Sequence, residues 1–307
     1  MSRRNQIRVA AVLAVVTCAA TTVASAHGAA AAASCGVLFD DFHYDSSAGG
    51  SFAGNGWTAR SGTGSPGVPG ASWLPGNITF PSSDGDQVAE LTASTDGTGE
   101  GTAQVEMYQS QQRFFEGTYA SRVKFTDAPT SGADGDHVNE TYFTISPLRY
   151  DHDPLYSELD FSEYLPNGGW GGDQADYETS WYTYWNSPTW DGQRVSSSQP
   201  GSLDGWHNLV TQVSGGHVKY YIDGALVADH TADAEGNPVY PRSPMSINYN
   251  MWFIDTAGHT GGTSTYTEQV DWTYYAGNEV VSPADAVAQA SQYRSDGTAH
   301  VDSVASC

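Results

Sequence analysis

Short apolar and aromatic runs alternate with clusters of Gly, Asp, Ser, Asn and Pro from Cys35 to about Asn278. Runs of this length, bounded by turn residues, are typical of β-strands. The Asp223-Gly224 pair between two such runs predicts a tight hairpin. Many short strands at regular spacing predict an all-β fold, a β-sandwich or jelly roll. The predicted strands cover residues 117–125, 140–146, 157–165, 177–185, 206–213, 217–222, 244–253 and 269–275.

The pattern changes after Asn278. Ser282-Pro283-Ala284-Asp285 has the features of a helix start, with Ser at the N-cap and Pro in the first helical position. Residues 286–293 can complete a short helix. We therefore predict one domain over residues 35–278 and a tail over residues 279–307, folded back on that domain and pinned through Cys307.

Residues 1–34 have the pattern of a secretory signal peptide and an alanine-rich leader. Arg3, Arg4 and Arg8 precede the apolar run 9–16, and Ala24-Ser25-Ala26 offers a cleavage site. A membrane span needs about 20 apolar residues, and no later segment is that long and apolar. The sequence predicts a secreted, extracellular protein with no membrane association once the signal is removed.

The cysteines fit this compartment. Cys18 lies in the predicted signal, which leaves Cys35 and Cys307 at the two ends of the mature chain. In an oxidising compartment we expect a disulfide that ties the termini together. Two free or lipid-modified thiols are the alternative.

Charge and composition limit the classes of molecule that the protein can bind. The chain of 307 residues has 35 acidic side chains against 12 Lys plus Arg, for a net charge of −23. Nucleic acid is excluded as a partner, because a polyanion needs a basic surface. The aromatic content of 12% excludes disorder and suits carbohydrate, which flat aromatic faces and short polar groups bind. Nothing in the acidic composition predicts more than a monomer.

The stretch 157–165 carries the candidate chemistry. In a strand, Glu158 and Asp160 project from one face, whereas strict alternation puts Glu163 on the other. One extra residue in a β-bulge, with Ser162 as the candidate, returns Glu163 to the same face. Three carboxyls on one face suit glycosidic hydrolysis, which needs a nucleophile and an acid/base with separated pKa values. A solvated acidic strand or a Ca²⁺ site is the alternative.

Five segments together resemble glycoside hydrolase family 16. Glu158-Leu159-Asp160-Phe161-Ser162-Glu163 is similar to its E-x-D-x-x-E active-site strand. The other similar segments, in the order of the family, are residues 115–124, Gly205-Trp206-His207 with 218–224, residues 244–252, and Val270-Asp271-Trp272. The extra residue in the motif is like that of the laminarinase and agarase branches.

The resemblance implies a concanavalin-like jelly roll whose curved sheet forms an open cleft. It implies a retaining double displacement with Glu158 as nucleophile, Glu163 as acid/base and Asp160 between them. No cofactor is needed for this chemistry. Asp271 matches a position that, with the carbonyl of Gly117, helps to bind a structural calcium in several members. Many members also have a His on the strand after the motif, and residues 180–185 contain none.

The expected partner is a β-linked polysaccharide that is cut internally, and the first candidate is a β-1,3- or mixed-linkage β-1,3-1,4-glucan. A transglycosylase or a galactan hydrolase on the same scaffold is a close alternative. A non-catalytic carbohydrate-binding module would keep the aromatic residues without needing the three carboxyls. A polysaccharide lyase would need basic groups that this acidic chain has few of.

Aromatic residues around the motif are candidates for sugar contact. Trp170 lies in a Gly-rich loop, and Trp252 ends a family-like strand. Strand alternation places Trp181 and Trp185 on one face, which we expect to be the cleft face. Tyr142 precedes the motif on the neighbouring predicted strand. The histidines form no zinc-binding pattern.

Overall fold

The computed structural model describes residues 34–305. These residues are almost entirely strand and turn, so the all-β prediction is confirmed. Each predicted strand is present with its ends shifted by a few residues at most, except the last, which begins earlier. The strands are β1 (Val37–Asp40), β2 (Trp57–Ala59), β3 (Gly62–Thr63), β4 (Ser72–Trp73), β5 (Ile78–Thr79), β6 (Ser82–Ser83), β7 (Asp86–Gln87), β8 (Ala89–Thr95), β9 (Ala103–Gln109), β10 (Gly117–Phe125), β11 (Val138–Ile145), β12 (Glu158–Leu165), β13 (Ala175–Trp185), β14 (Asp191–Pro200), β15 (Gly205–Ser214), β16 (His217–Ile222), β17 (Ala225–His230), β18 (Ser246–Phe253), β19 (Ser264–Gly277) and β20 (His300–Asp302).

Two antiparallel layers form the jelly roll. The front sheet has the strand order β2-β9-β18-β11-β12-β13-β14. The back sheet has the order β5-β8-β19-β10-β15-β16-β17, and β1 pairs with β19. Strand β9 also pairs with β4 and β8, so it joins the two layers. The predicted Asp223-Gly224 hairpin is confirmed and connects β16 to β17; both residues adopt positive φ, 50° and 82°, as a type I′ turn requires.

The main core lies between the two sheets. Alternate residues of each strand point inward, which is the period of two that a strand imposes. Inward residues of the front sheet include Met107, Tyr142, Leu159 and Tyr249, and those of the back sheet include Tyr119, Leu209 and Tyr275. The alternate positions of the front sheet therefore face outward, and this outer face carries the candidate site.

The C-terminal segment packs against the back sheet. Helix α1 (Gly50–Gly54) is a single short turn, whereas α2 (Pro283–Ser295) is the predicted tail helix. The Asp285 amide donates to the Ser282 side chain, so Ser282 is the N-cap. Ala286 and Ala290 are buried against Phe39 and other back-sheet residues, and β20 pairs with β1. Within residues 34–305, no helix is long and apolar enough to cross a bilayer.

Two predictions fall outside the described residues. The signal peptide and leader occupy residues that the structure does not describe, apart from Ser34. Cys307 is also undescribed, so its disulfide with Cys35 stays a prediction. The domain boundary at Asn278 lies within the described residues and also stays a prediction. The Ala305 amide donates to the Cys35 carbonyl at 2.9 Å, two residues before Cys307.

Candidate active site

Strand β12 presents the three carboxyls on the outer face of the front sheet. Against β13, Asp160 lies opposite Thr179 and Glu163 lies opposite Tyr177, so two residues of β12 face one residue of β13. This is the predicted β-bulge, and it returns Glu163 to the face of Glu158 and Asp160.

The bulge differs from the prediction in its extra residue. Against β11, Ser162 keeps a partner and Phe161 has none, so the extra residue is Phe161. The Phe161 ring packs in the core, 4.7 Å from the ring of Tyr142. The Ser162 hydroxyl lies 2.6 Å from the buried carboxyl of Asp176, to which it donates. Both residues therefore point inward, and this double inward step carries Glu163 outward.

Glu158 is held by a residue that the sequence analysis missed. The Tyr156 hydroxyl donates to Glu158 Oε2. Tyr156 is fully buried, and its ring makes an edge contact with Tyr184 at 5.0 Å. The sequence spacing could have indicated this contact, because Tyr156 precedes Glu158 by two residues and this spacing favours the same face of an extended chain.

Asp160 lies between the two glutamates and is almost fully buried. The Trp181 indole donates to Asp160 Oδ2 at 2.8 Å. The structure thus brings Trp181 to the site. The indole N–H orients the central carboxyl of the cluster.

Glu163 accepts two hydrogen bonds from neighbouring strands. Asn139 Nδ2 on β11 and Thr179 Oγ1 on β13 each lie 3.3 Å from a Glu163 carboxyl oxygen. Neither residue was predicted, because the contacts depend on strand pairing that the sequence does not specify. Together with Tyr156 and Trp181, they give each carboxyl at least one donor.

Burial and mutual repulsion set the charge of the cluster. Burial raises the pKa of Glu158 to about 8 and that of Glu163 to about 7. The Tyr156 hydrogen bond lowers the pKa of Glu158, while the charge of Glu163 raises it. Burial, then Glu163 and Glu158, raise the pKa of Asp160 well above its usual range. The three carboxyls therefore titrate as one coupled cluster, and the protonated form of Asp160 is favoured by its position between the two glutamates.

Two predicted aromatic residues meet beside Glu163. Trp170 is 50% exposed, and its ring lies 6.3 Å from that of Trp252 and 5.8 Å from that of Tyr177. Trp252 is paired across the sheet with Asn139, which donates to Glu163. The cluster of Trp170, Trp252 and Tyr177 is called the aromatic platform below.

Trp185 does not share the face of Trp181. The register shifts between Trp181 and Thr183, which leaves Tyr182 as an extra residue and reverses the alternation that the sequence predicted. Tyr184 consequently lies near Trp181, with 6.2 Å between the rings. Trp185 instead stacks on His152 at 4.2 Å. The prediction that Trp185 lies with Trp181 at the cleft was therefore wrong.

Tyr142 was also wrongly predicted to contact substrate. It is fully buried and stacks on Tyr249 at 4.8 Å and 7° in the main core. Its neighbours Thr141 and Phe143 take the outward positions of β11, because alternation gives Tyr142 the inward one.

The residues proposed for calcium do not fit that ion. Asp271 Oδ2 accepts from Arg122 at 2.7 Å, and Asp271 Oδ1 accepts from Arg294 at 2.6 Å. Gly117 pairs with Gly277 at the other end of the β10–β19 pair. Both carboxyl oxygens are thus occupied by cations, and the prediction of a site at Asp271 and Gly117 was wrong. Within residues 34–305, no group of three or more His, Cys, Asp or Glu is placed to hold a metal.

Known proteins resemble this chain in sequence and in fold. It is 28% identical over 161 residues to the endo-1,3-1,4-beta-glycanase ExoK of Rhizobium meliloti, covering 52% of this chain and 51% of that one. It is 25% identical over 226 residues to the beta-glucanase of Paenibacillus macerans, covering 72% of this chain and 83% of that one. The chain thus spans about half of ExoK and most of the second relative.

Solved structures share the fold at low identity. A Bacillus licheniformis beta-glucanase matches with a TM-score of 0.55 at 16% identity, over 78% of this chain and 97% of that one. A lichenase from a mouse hindgut metagenome matches with a TM-score of 0.54 at 19% identity, over 78% of this chain and 98% of that one. The family model named Glycosyl hydrolases family 16 matches residues 71–274. This range includes every strand from β5 to β18, the three carboxyls and the four side chains that donate hydrogen bonds to them. With two thirds of its length matched and the three carboxyls gathered on one strand, the chain belongs to glycosyl hydrolases family 16.

Proposed function

We propose that the protein is a retaining endo-β-glucanase that hydrolyses a β-1,3- or mixed-linkage β-1,3-1,4-glucan. The observation that carries the proposal is the bulged β12 strand, which places Glu158, Asp160 and Glu163 on one face with a donor for each. A binding module has no use for three carboxyls forced together in this way, because their mutual repulsion costs stability.

The reaction takes two displacements. Glu158 attacks the anomeric carbon while Glu163 gives its proton to the leaving glycosidic oxygen, which forms a glycosyl-enzyme ester. Glu163, now ionised, takes a proton from water. The resulting hydroxide attacks the anomeric carbon, and Glu158 leaves as a carboxylate. Each step inverts the carbon, so the product keeps the β configuration.

The supporting groups fit these roles. The Tyr156 hydroxyl stabilises the ionised form of Glu158, which the attack requires. Burial and the charges of the two glutamates favour the protonated form of Asp160, which lowers the negative charge on the strand face. Burial keeps a proton on Glu163 up to pH about 7, where it serves as general acid. Because the pKa of Glu158, about 8, lies above that of Glu163, the reactive form with Glu158 ionised and Glu163 protonated is a minor one, and its population is highest between pH about 7 and about 8.

The substrate assignment rests on the relatives and on the aromatic platform. Both curated relatives carry glucanase or glycanase names. The platform of Trp170, Trp252 and Tyr177 offers ring faces beside Glu163, and aromatic faces suit the C–H faces of a β-linked glucose. The extra residue in the motif, as in the laminarinase branch, favours β-1,3 linkages.

We also infer secretion and a Cys35–Cys307 disulfide. The arginine-led apolar start supports export. The hydrogen bond from Ala305 to Cys35, two residues before Cys307 in the sequence, supports the disulfide. Intact mass before and after reduction tests the disulfide, with a gain of two hydrogens expected on reduction. No gain would show free or otherwise modified thiols.

The test is reducing-end release from laminarin, lichenan, agarose, carrageenan and xyloglucan. Glu158→Gln is measured beside the wild type, and Glu279→Gln is the control because Glu279 is an exposed carboxylate on the tail. We expect cleavage of laminarin or lichenan by the wild type and the control, and loss in Glu158→Gln. Binding without cleavage in all three would leave a binding module, and cleavage of a galactan alone would overturn the substrate class.

A further inference from the structure

Arg194 differs from the other described arginines in having neither a carboxylate partner nor several backbone carbonyl acceptors. Within residues 34–305, five arginines pair with a carboxylate, and Arg242 donates to several backbone carbonyls; the five are Arg60, Arg113, Arg122, Arg149 and Arg294. Arg194 forms no such pair, although the chain has 35 acidic residues. Its one hydrogen bond to protein, to the Gly192 carbonyl, is long at 3.5 Å.

The guanidinium is held on the outer face of the front sheet. Arg194 on β14 lies directly opposite Trp181 on β13. Its Cζ is 4.6 Å from the Trp181 ring centroid and 5.4 Å from that of Trp190. Cation–π contacts of this kind fix the plane of the guanidinium while its N–H edges stay available. The side chain is exposed to solvent.

The position relates Arg194 to the catalytic carboxyls. The indole under the guanidinium donates to Asp160, and Trp181 itself is paired with Glu158 across the sheet. Arg194 lowers the pKa of Glu158, Asp160 and Glu163, so its charge is felt by all three without a direct contact. The free guanidinium edge therefore lies on the same outer face as the three carboxyls, one strand beyond Trp181.

A neutral glucan offers hydroxyls only, which do not require a full positive charge. A guanidinium presents a planar fork that binds a carboxylate or a sulfate with two parallel hydrogen bonds. In a chain of net charge −23, a cation kept free of the many acidic side chains has its donors open for an anion from outside. An anionic substituent on the substrate meets this requirement.

We propose that Arg194 binds an oxyanion substituent, a carboxylate or a sulfate ester, carried by a sugar that lies over Trp181 and Trp190. The substrate class is accordingly an anionically substituted β-glucan. This inference rests on the proposed endo-β-glucanase function and narrows its substrate.

The test compares laminarin with carboxymethylated and sulfated laminarin of equal, low substitution, and lichenan with its two derivatives. The kcat/KM on each charged polymer is divided by that on the parent polymer, for the wild type, Arg194→Gln and Lys124→Gln. Lys124 is the matched control, because its ammonium also lies over a tryptophan, Trp206, at 5.8 Å but on the back sheet. Each variant is assayed at its own pH optimum.

We expect Arg194→Gln to lower the charged-to-parent ratio about ten-fold, mainly through KM, as loss of a charge-assisted contact does. Lys124→Gln keeps the wild-type ratio. A fall for one derivative identifies the preferred anion. An unchanged ratio in Arg194→Gln, or an equal fall in Lys124→Gln, overturns the anion site while parent-polymer cleavage still stands. A wild type that cleaves none of the polymers refutes the proposed function and this inference with it.

Discussion

Replacing Tyr156 by Phe removes one hydroxyl and tests how the nucleophile is held. The hydroxyl donates to Glu158 and thereby lowers the pKa of that carboxyl. A hydrogen bond to a charged group contributes about 1.5–3 kcal/mol. Because one pKa unit corresponds to about 1.4 kcal/mol, the Phe variant should raise the pKa of Glu158 by about 1–2 units.

The consequence is a shifted pH profile. The attack needs ionised Glu158, so the variant has less of the active form at every pH below the new pKa. We expect kcat/KM at pH 6 to fall at least about ten-fold, and the optimum to move to higher pH. The assay is kcat/KM on the preferred glucan from pH 4 to pH 10, with circular dichroism to confirm folding.

Tyr184→Phe is the matched control. Tyr184 contacts the Tyr156 ring and also has a raised pKa, but no hydrogen bond joins it to Glu158 among the described contacts. Its profile should match that of the wild type. A uniform loss of activity in Tyr156→Phe with an unmoved optimum would refute this reasoning, and so would an equal shift in Tyr184→Phe.

Three further predictions concern stability and binding. Glu268 is fully buried, and its pKa is raised well above the usual range, first by burial and then by the charge of Glu140. The contribution of the protonated carboxyl to stability is therefore complete below pH about 4.5 and is lost as pH rises. Glu268→Gln should therefore raise Tm by about 2–4 °C at pH 8 and by less at pH 4.5, by differential scanning fluorimetry; an equal change at both would contradict this. Asp271→Ala should lower the free energy of unfolding by about 2–3 kcal/mol in urea titrations, a value discounted because the paired guanidiniums are partly in water. A Tm lowered by EDTA would contradict the conclusion that Asp271 binds no metal ion. Trp170→Ala should raise KM for polymer about five-fold with Tm unchanged, because the ring is half exposed; an unchanged KM would remove Trp170 from the platform.

Much of the fold follows from strand periodicity, and the periodicity fails where a bulge interrupts a strand. Alternation places Glu158 and Asp160 together, and the need for a common face predicts the bulge before Glu163. The same alternation fails for Trp185, because a second bulge at Tyr182 has no chemical signal in the sequence. A bulge is defined by the pairing with a neighbouring strand, which the sequence of a single strand does not reveal.

The sequence analysis also did not predict the side-chain contacts between residues that are far apart in the chain. Asn139 and Thr179 reach Glu163 only through the register of β11 and β13 against β12. The tail explains the error at Asp271, because Arg294 comes from α2 and occupies an oxygen that would otherwise be free for a metal ion. No local pattern near residue 271 indicates that pairing.

The most direct test of the account is to trap the glycosyl-enzyme and locate its bond. The wild type is incubated with a 2-deoxy-2-fluoro-β-glucoside oligosaccharide carrying a dinitrophenyl leaving group, then digested and mapped by mass spectrometry. The account predicts one 2-fluoro-oligosaccharide esterified to Glu158 with loss of dinitrophenolate, and none on Asp160 or Glu163. A label on Glu163, or no label together with a first-formed product of inverted configuration, would contradict it.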